Sequence, residues 1–384
     1  MARPGALILG NPENRRVSFF QEALASQGFP HATILSWVDY FHEPEQLLEL
    51  LSPGCTLRID SPGENATVLQ ELLRAGAEHP RATISREALE HTQARHGEVF
   101  HPLQRFLGWQ ATLEQLAEQL EDHPHGDSVR VMNHPRDILA MFDKARSYDR
   151  LREAEVAVPR RIDGVTDYDS LRRRMREENQ RRVFIKLLHG SSASGVVAYR
   201  TRGERESAIT SSKLVQDAGQ PDRIYNSLRI QHYMESDTIR TLIDLLAAQD
   251  VVVEQWLPKS NIDRRAFDMR VVVIAGKATH VVARSSRTPM TNLHLGNQRE
   301  TRERVIEAFG EDAFDAALAE AEKAATAFPD SFYFGADVMM CSGSLDPVVI
   351  EVNAFGDLLP NLLVDGLDTY QTEVARWFEQ GAPP

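Results

Sequence analysis

Phe334-Gly-Ala-Asp337-Val-Met-Met-Cys-Ser-Gly-Ser-Leu-Asp-Pro-Val-Val-Ile-Glu351-Val-Asn353 is the stretch that decides the reading of this chain. Residues 332–341 and 347–353 are two apolar runs joined by Ser-Gly-Ser-Leu-Asp, a hairpin signal. Side chains two apart on a strand share a face, so Glu351 and Asn353 point the same way, and Asp337 on the partner strand can face them. Two carboxylates and an amide oxygen make a hard-oxygen set suited to Mg²⁺, whose remaining positions take water and phosphate oxygens. A solvated hairpin face is the other reading of the same triplet.

Upstream, Val183-Phe-Ile-Lys186-Leu-Leu-His189-Gly190-Ser191-Ser192-Ala193-Ser194-Gly195 places a lysine on an apolar strand directly before a loop of small residues. Small residues let backbone N–H groups approach a phosphate, and a lysine adds a point charge to it. A plain hairpin loop is the alternative, and the Gly-Lys-Ser/Thr order of a P-loop is missing. Val251-Val-Val-Glu254-Gln255-Trp256-Leu257-Pro258 is an apolar strand stopped by proline, whose end could offer Glu254 and backbone groups to an adenine edge. Phe267 to Arg284 reads as a hairpin turning at Ala-Gly-Lys, which lets Arg270 and Arg284 converge at one sheet end. A polar loop with Arg287, Asn292, His294 and Gly296 follows. Arginines fixed beside a Mg²⁺ site suit the charge of a transferring phosphoryl group. Arg264 and Arg265 could meet an acidic substrate or lie in a solvated loop.

The 384 residues suffice for two or three domains, and 42% hydrophobic with 26% charged residues is a soluble, globular balance. A formal net charge of -13 argues against a general nucleic-acid binder but leaves room for local basic clusters. Two distant cysteines, Cys55 and Cys341, exclude a disulfide framework. The apolar run Ala6–Leu9 is too short for a signal-peptide core or a membrane span, so a cytoplasmic protein with no membrane partner is expected.

The N-terminal part alternates strands (6–10, 33–37, 55–60, 129–133) with helices (13–27, 43–51, and one ending near 73), the pattern of an open α/β sheet whose ligands bind beyond the strand carboxyl ends. That edge carries Arg58, Ser61 and Glu64, our candidates for substrate contact from the first domain, though Pro62-Gly63 is also ordinary turn chemistry. Residues 90–121 and 136–152 read as helical, and 183–188, 195–199, 251–257, 268–275 and 278–284 as antiparallel strands. Segment 201–248 reads as mixed, polar and helical, and 301–308 and 311–328 as helices. The division expected is 1–130, 131–255 and 256–384. No G-x-G-x-x-G follows the first strand, which disfavours an NAD enzyme.

Taken in order, Asp143-Lys144, Lys186 with its loop, Glu254-Gln-Trp-Leu257, Asp268-x-Arg270, Arg284, Asn292-x-His294-x-Gly296, Asp337 and Glu351-x-Asn353 resemble the ATP-grasp superfamily. The likeness is to its branch of ribosomal-protein glutamate ligase and glutathione synthetase-like carboxylate–amine ligases. It covers about residues 130–365, with a pre-ATP-grasp α/β domain before it. The resemblance implies an α/β fold with two antiparallel grasping subdomains, and an enzyme forming an amide from an amino-acid or peptide carboxylate and an amine through an acyl phosphate, releasing ADP. It implies that Lys144 and Lys186 contact ATP phosphates under the Ser191, Ser192, Ser194 and Gly195 loop, and that Glu254, Gln255, Trp256 and Leu257 hold adenine. Asp337, Glu351 and Asn353 would carry one or two Mg²⁺ ions, with Mn²⁺ as a substitute, while Arg270, Arg284 and Asn292 stabilise the reacting groups and His294 meets substrate. A homodimer is common in that family. A non-catalytic ATP-binding module on the same fold is the alternative. The chain departs from the family at Gly296-Asn297, where Gly-Gly is usual, at the Glu-Gln order of 254–255, and in the long segment 201–250.

Overall fold

The computed structural model describes residues 5–92, 94–190, 193–217, 219–356, 359 and 362–379. The first sheet is parallel, in the order β2–β1–β3–β4, from β1 (Ala6–Gly10), β2 (Thr33–Ser36), β3 (Thr56–Ile59) and β4 (Arg130–Met132). Every residue of β1 and β3 is buried, as their unbroken apolar runs require of strands covered on both faces. The helix Ala66–Gly76 crosses the long helix Pro102–Asp122 closely, because a Cβ on Gly108 would stand 1.8 Å from the Leu72 carbonyl oxygen. An additional short helix, Trp37–His42, caps on Ser36 where the sequence reading continued a strand. Residues 91–92 and 94–101 lie outside any helix, and the helix begins only at Pro102.

The second sheet is antiparallel: β5 (Arg161–Ile162), β6 (Arg182–Leu187), β7 (Val197–Arg202), β8 (Arg205–Val215), β9 (Arg223–Tyr233) and β10 (Val251–Gln255), in the order β5–β10–β6–β7–β8–β9. This corrects the helical reading of 201–248, since among the described residues of that segment only Ser236–Ala247 is helix. The buried interior of β8 is made largely of small polar residues, among them Ser207, Thr210, Ser211 and Ser212, so the apolar alternation of a strand is hidden. Thr210 and Ser211 satisfy their hydroxyls on the Val196 and Ala193 carbonyls. This sheet has its own core, including Leu171, Ile185, Tyr199, Ile239 and Leu242. A segment of the N-terminal part joins its outer edge: Val99 N donates to Ile224 O at 2.9 Å and Asn226 N to Gly97 O at 2.7 Å. Arg81 adds an ion pair to Asp250 at 2.7 Å.

The third sheet runs β14–β13–β12–β15–β16, with β11 (Asn261–Ile262) paired to β12 (Arg265–Ile274). Its other strands are β13 (Lys277–Ser286), β14 (Gln298–Glu300), β15 (Tyr333–Met340) and β16 (Pro347–Asn353). Its core is continuous with that of the first sheet, from Leu7 and Leu57 through Val271 to Val338 and Val352. The β12–β13 hairpin turns at Ala275 and Gly276, as the Ala-Gly-Lys signal predicts. The helix expected over 136–152 is two, Pro135–Phe142 and Lys144–Glu153, because the Asp143 carboxylate accepts from Ala145 N and Arg146 N and starts a new helix.

Candidate active site

The inner faces of the second and third sheets meet at a cleft, and each wall supplies charge in alternate positions. On β6, Val183, Ile185 and Leu187 are buried, while Phe184 and Lys186 line the cleft. Lys186 Nζ lies 2.6 Å from Glu254 Oε2 and donates to the Ile350 carbonyl at 3.3 Å. Burial alone would lower its pKa, but Glu254 and Glu351 outweigh that and raise it, so the group is an ammonium. Lys144, the first residue of its helix, donates to the Gly190 carbonyl at 2.6 Å and stands 3.1 Å from Glu351 Oε1. The two lysines thus reach the cleft from different elements.

The small-residue loop lies directly above. Ala193 and Ser194 line the cleft, whereas Ser191 and Ser192 lie outside the described residues. Gly195 has a positive φ of 66° and seals the loop against β6, because a Cβ there would meet Leu187 Cδ1 at 2.5 Å. Glu254, Gln255 and Leu257 line the same cleft. Trp256 instead packs its ring 5.3 Å from that of Phe184.

On the third sheet the cations and anions interlock. Asp337 pairs with Arg270 on β12 and with Glu351 on β16, and Asp268 pairs with Arg284, so five charged residues fall on neighbouring register positions. Asp337 accepts from Arg270 Nε at 2.5 Å and lies 3.0 Å from an Arg284 terminal nitrogen. Arg284 Nε also donates to Asp268 Oδ1 at 2.8 Å, and Lys259 Nζ and the Thr291 hydroxyl donate to Asp268 Oδ2. Burial would raise the Asp337 pKa, but the two guanidinium groups hold it far below the usual carboxylate range. Burial would lower that of Arg284, and Asp268 and Asp337 outweigh this and raise it. The predicted convergence of Arg270 and Arg284 therefore occurs on Asp337. Asn353 stands opposite Gly335 in the same pair of strands and donates to its carbonyl at 3.5 Å.

Next to the cleft opens a polar basin lined by Arg16, Arg270, Arg284, Arg299, His294 and Asn353; Lys144, Asn292 and Glu351 line both. The 288–297 loop folds over it. Gly296 is left-handed, with φ 78°, and Asn297 is not, so the second glycine of the family pattern is not required by the turn. Asn297 Nδ2 instead donates to the Met290 and Asn292 carbonyls, at 2.9 and 3.0 Å, and closes the loop on itself.

Arg58 does not belong to this assembly. It is fully buried, 2.7 Å from Glu373 and 3.5 Å from Asp60, with Phe20 and Tyr333 over its guanidinium, and has no surface to offer a substrate. Ser61 and Glu64 line a separate pocket, and Arg265 is spent on Ser285. Two basin residues were missed from sequence. Arg16 comes from the first turn of the helix after β1, where the strand-edge rule points, and Arg299 is opposite Arg284 in register. Like charges side by side destabilise a sheet unless an anion lies between them.

The donor set fits Mg²⁺. Among the described residues no group of three or more His, Cys, Asp and Glu is arranged to hold a metal ion. Mg²⁺ does not need one, since one or two carboxylates with water and phosphate oxygens suffice. Asp337 and Glu351 are opposed across β15 and β16, with lysine and arginine nitrogens at their oxygens.

No protein-family model matches this sequence, and no curated protein matches it. Among solved structures, the D-cycloserine synthetase DcsG aligns with a TM-score of 0.55 at 13% identity over 97% of this chain and 100% of that one. The ATP-grasp ligase PsnB in complex with a minimal precursor gives 0.52 at 15% identity, over 97% and 99%. The macrocyclase MdnC from Microcystis aeruginosa MRC, bound to its precursor peptide MdnA, gives 0.51 at 9%, over 98% and 100%. At such identities the likeness is one of fold, and 97–98% of this chain aligns with that ATP-grasp fold. Among the described residues no helix is long and apolar enough to cross a membrane.

Proposed function

We propose that this chain is an ATP-dependent ligase that joins a carboxylate to an amine through an acyl phosphate. The observation that carries this reading is the convergence of Lys144, Lys186, Arg270 and Arg284 with Asp337 and Glu351 at one cleft between two antiparallel sheets. In this reading residues 131–255 and 256–384 hold ATP between them, and residues 1–130 complete the substrate side.

In this reading Lys144 and Lys186 neutralise phosphate oxygens and the Glu254–Leu257 stretch holds adenine, a reading supported by Lys144, Lys186, Glu254, Gln255 and Leu257 all lining the cleft. Asp337, Glu351 and Asn353 would hold Mg²⁺, which screens phosphate charge and orients the γ-phosphoryl group. Arg270 and Arg284, locked by Asp337 and Asp268, supply preorganised positive charge at the basin mouth, and Asn292 a hydrogen bond beside them. A substrate carboxylate oxygen attacks the γ-phosphorus, the bond to the β–γ bridging oxygen breaks, and ADP leaves. The amine nitrogen then attacks the acyl carbon, the acyl–oxygen bond breaks, phosphate leaves and the nitrogen loses a proton. The loop over the phosphates excludes water from the acyl phosphate. No protein nucleophile is needed.

The test is nucleotide consumption with Mg²⁺ and ATP against pools of amino acids and short peptides, following ADP with phosphate separately from AMP with pyrophosphate, and masses by spectrometry. ADP together with a product equal to two substrates less one water is expected. AMP and pyrophosphate would replace the acyl phosphate by an adenylate and overturn the mechanism.

A further inference from the structure

A second cavity, about 350 Å³, opens between the helix Ala66–Gly76 and the helix Pro102–Asp122 on one side and Phe142 and His189 on the other. That volume lies in the range of small-molecule pockets, roughly 300–1,000 Å³. Phe142 is the wall it shares with the polar basin. Its walls are apolar: Leu69, Leu72, Phe106, Trp109 and Phe142. Arg105 is a charged group of its lining, and two further polar atoms nearby have no partner among the described residues. The Trp109 Nε1 donor is buried and unbonded. His189 stacks on Phe106 at 3.6 Å, turns Nε2 to Asp143 Oδ2 at 3.4 Å, and leaves Nδ1 buried and unbonded. The half-buried Arg105 side chain has neither ion pair nor hydrogen bond, and burial, with no anion to oppose it, lowers its pKa.

The two nitrogens are closed even to water and so do not face the cavity, which leaves the Arg105 guanidinium as the lining cation without a counterion among the described residues. A desolvated guanidinium calls for an anion, and a carboxylate matches its fork. Glu64, exposed at the rim, supplies the opposite charge. An anion site, an acidic rim and aromatic walls together describe a zwitterion with an apolar side chain. This carboxylate is not the one to be phosphorylated, because the charges that would stabilise that chemistry line the basin beyond Phe142.

We propose that this pocket binds a free amino acid with an apolar side chain, its carboxylate on Arg105 and its amine turned toward the basin, as the amine substrate. The assignment rests on the ligase reading. Arg105 is here a binding residue, and Phe142 lines both this pocket and the basin where the amine meets the acyl group.

Binding is measured by calorimetry on the full chain without nucleotide, with L-phenylalanine, L-phenylalaninamide, N-acetyl-L-phenylalanine and L-glutamate as probes. L-Phenylalanine should bind at least about tenfold more tightly than each of the others, the loss expected when one charged hydrogen bond goes. Arg105→Ala should abolish the preference for acid over amide, Arg105→Lys should restore part of it, and ATP binding should change less than twofold in both. Leu69→Trp, which fills the cavity from a half-exposed helix position, should block L-phenylalanine while the thermal midpoint is kept. Equal affinity for acid and amide, unchanged preference in Arg105→Ala, or no binding of L-phenylalanine would overturn the proposal. N-Acetyl-L-phenylalanine binding as tightly as L-phenylalanine would also overturn it, in favour of a peptide C-terminus. Selective binding without ADP formation from any pair would keep the pocket and remove the ligase reading. ADP formation at equal rates with phenylalanine and its amide would do the reverse.

Discussion

Lys186 and Glu254, on the adjacent strands β6 and β10, form an ion pair of 2.6 Å that is almost closed off from solvent. The pair holds the lysine charged and aimed at the cleft. Lys186→Met should therefore do two things at once. Removing one partner of a buried pair leaves an uncompensated charge and costs about 3–5 kcal/mol. Nucleotide affinity should fall at least about tenfold, the loss of one charged contact. The double change Lys186→Met with Glu254→Gln should recover most of the thermal midpoint and none of the nucleotide affinity. Recovery of both would show that the lysine serves only the fold.

Asp337 carries a double duty that separates it from Glu351. Its depressed pKa means that its contribution to stability is present above the unfolded value of about 3.9 and is lost as pH falls below it toward the folded value. Asp268, also depressed, acts in the same window. Calorimetric midpoints between pH 2.5 and 7 should fall steeply only below about pH 4. Asp337→Asn should have a lower midpoint at neutral pH and a shallower acid slope, whereas Glu351→Gln should keep the midpoint and lose turnover. An acid slope in Asp337→Asn equal to that of the unaltered chain would contradict the assignment.

Asn297 closes the basin loop by bonding Met290 and Asn292. Asn297→Gly, which restores the glycine pair of the resembled family, should loosen rather than improve this protein. Two lost hydrogen bonds predict a decrease of about 1–3 kcal/mol in local stability. Steady-state kinetics should show turnover reduced about tenfold with the KM for ATP unchanged, because the loop lies on the basin side. A variant as active as the parent would assign the loop closure to Gly296 alone.

Arg58 should behave as a core residue. Arg58→Met leaves Asp60 and Glu373 buried beside an apolar side chain, and the buried network predicts a loss of about 3–5 kcal/mol. Burial already raises the Glu373 pKa against the pull of Arg58, so in the variant Glu373 is expected to take up a proton. At a temperature where the variant is folded, its KM values should match those of the parent. A selective KM increase would return Arg58 to the substrate site.

The parts of this fold that sequence disclosed are those whose chemistry stands out from an apolar run. β15 is buried throughout and carries Asp337 as its one charge, β16 carries Glu351, and β12 and β13 flank an Ala-Gly turn, so strand and charge could be read together. The β8–β9 hairpin escaped because serine and threonine fill its buried face and β9 is mostly exposed, leaving no apolar stripe. Asp143 was read inside a helix, although an aspartate there is equally a cap, and only tertiary contact decides. Arg58 was placed by the rule that ligands gather beyond strand ends, and it is instead enclosed by aromatic rings from elsewhere in the chain. Arg105 and Trp109 stand one turn apart on a helix, but His189 comes from a distant loop and no motif links them, so their common pocket could not be read from the sequence.

The splice of residues 97–99 onto β9 ties the second sheet to the N-terminal part. That sheet has a core of its own, yet its outer strand is joined to residues 97–99 by two backbone bonds, and Asp250, just before β10, pairs with Arg81. Residues 97–99 lead directly into the helix bearing Arg105, so the outer edge of one wall of the cleft and the wall of the aromatic pocket are consecutive pieces of chain.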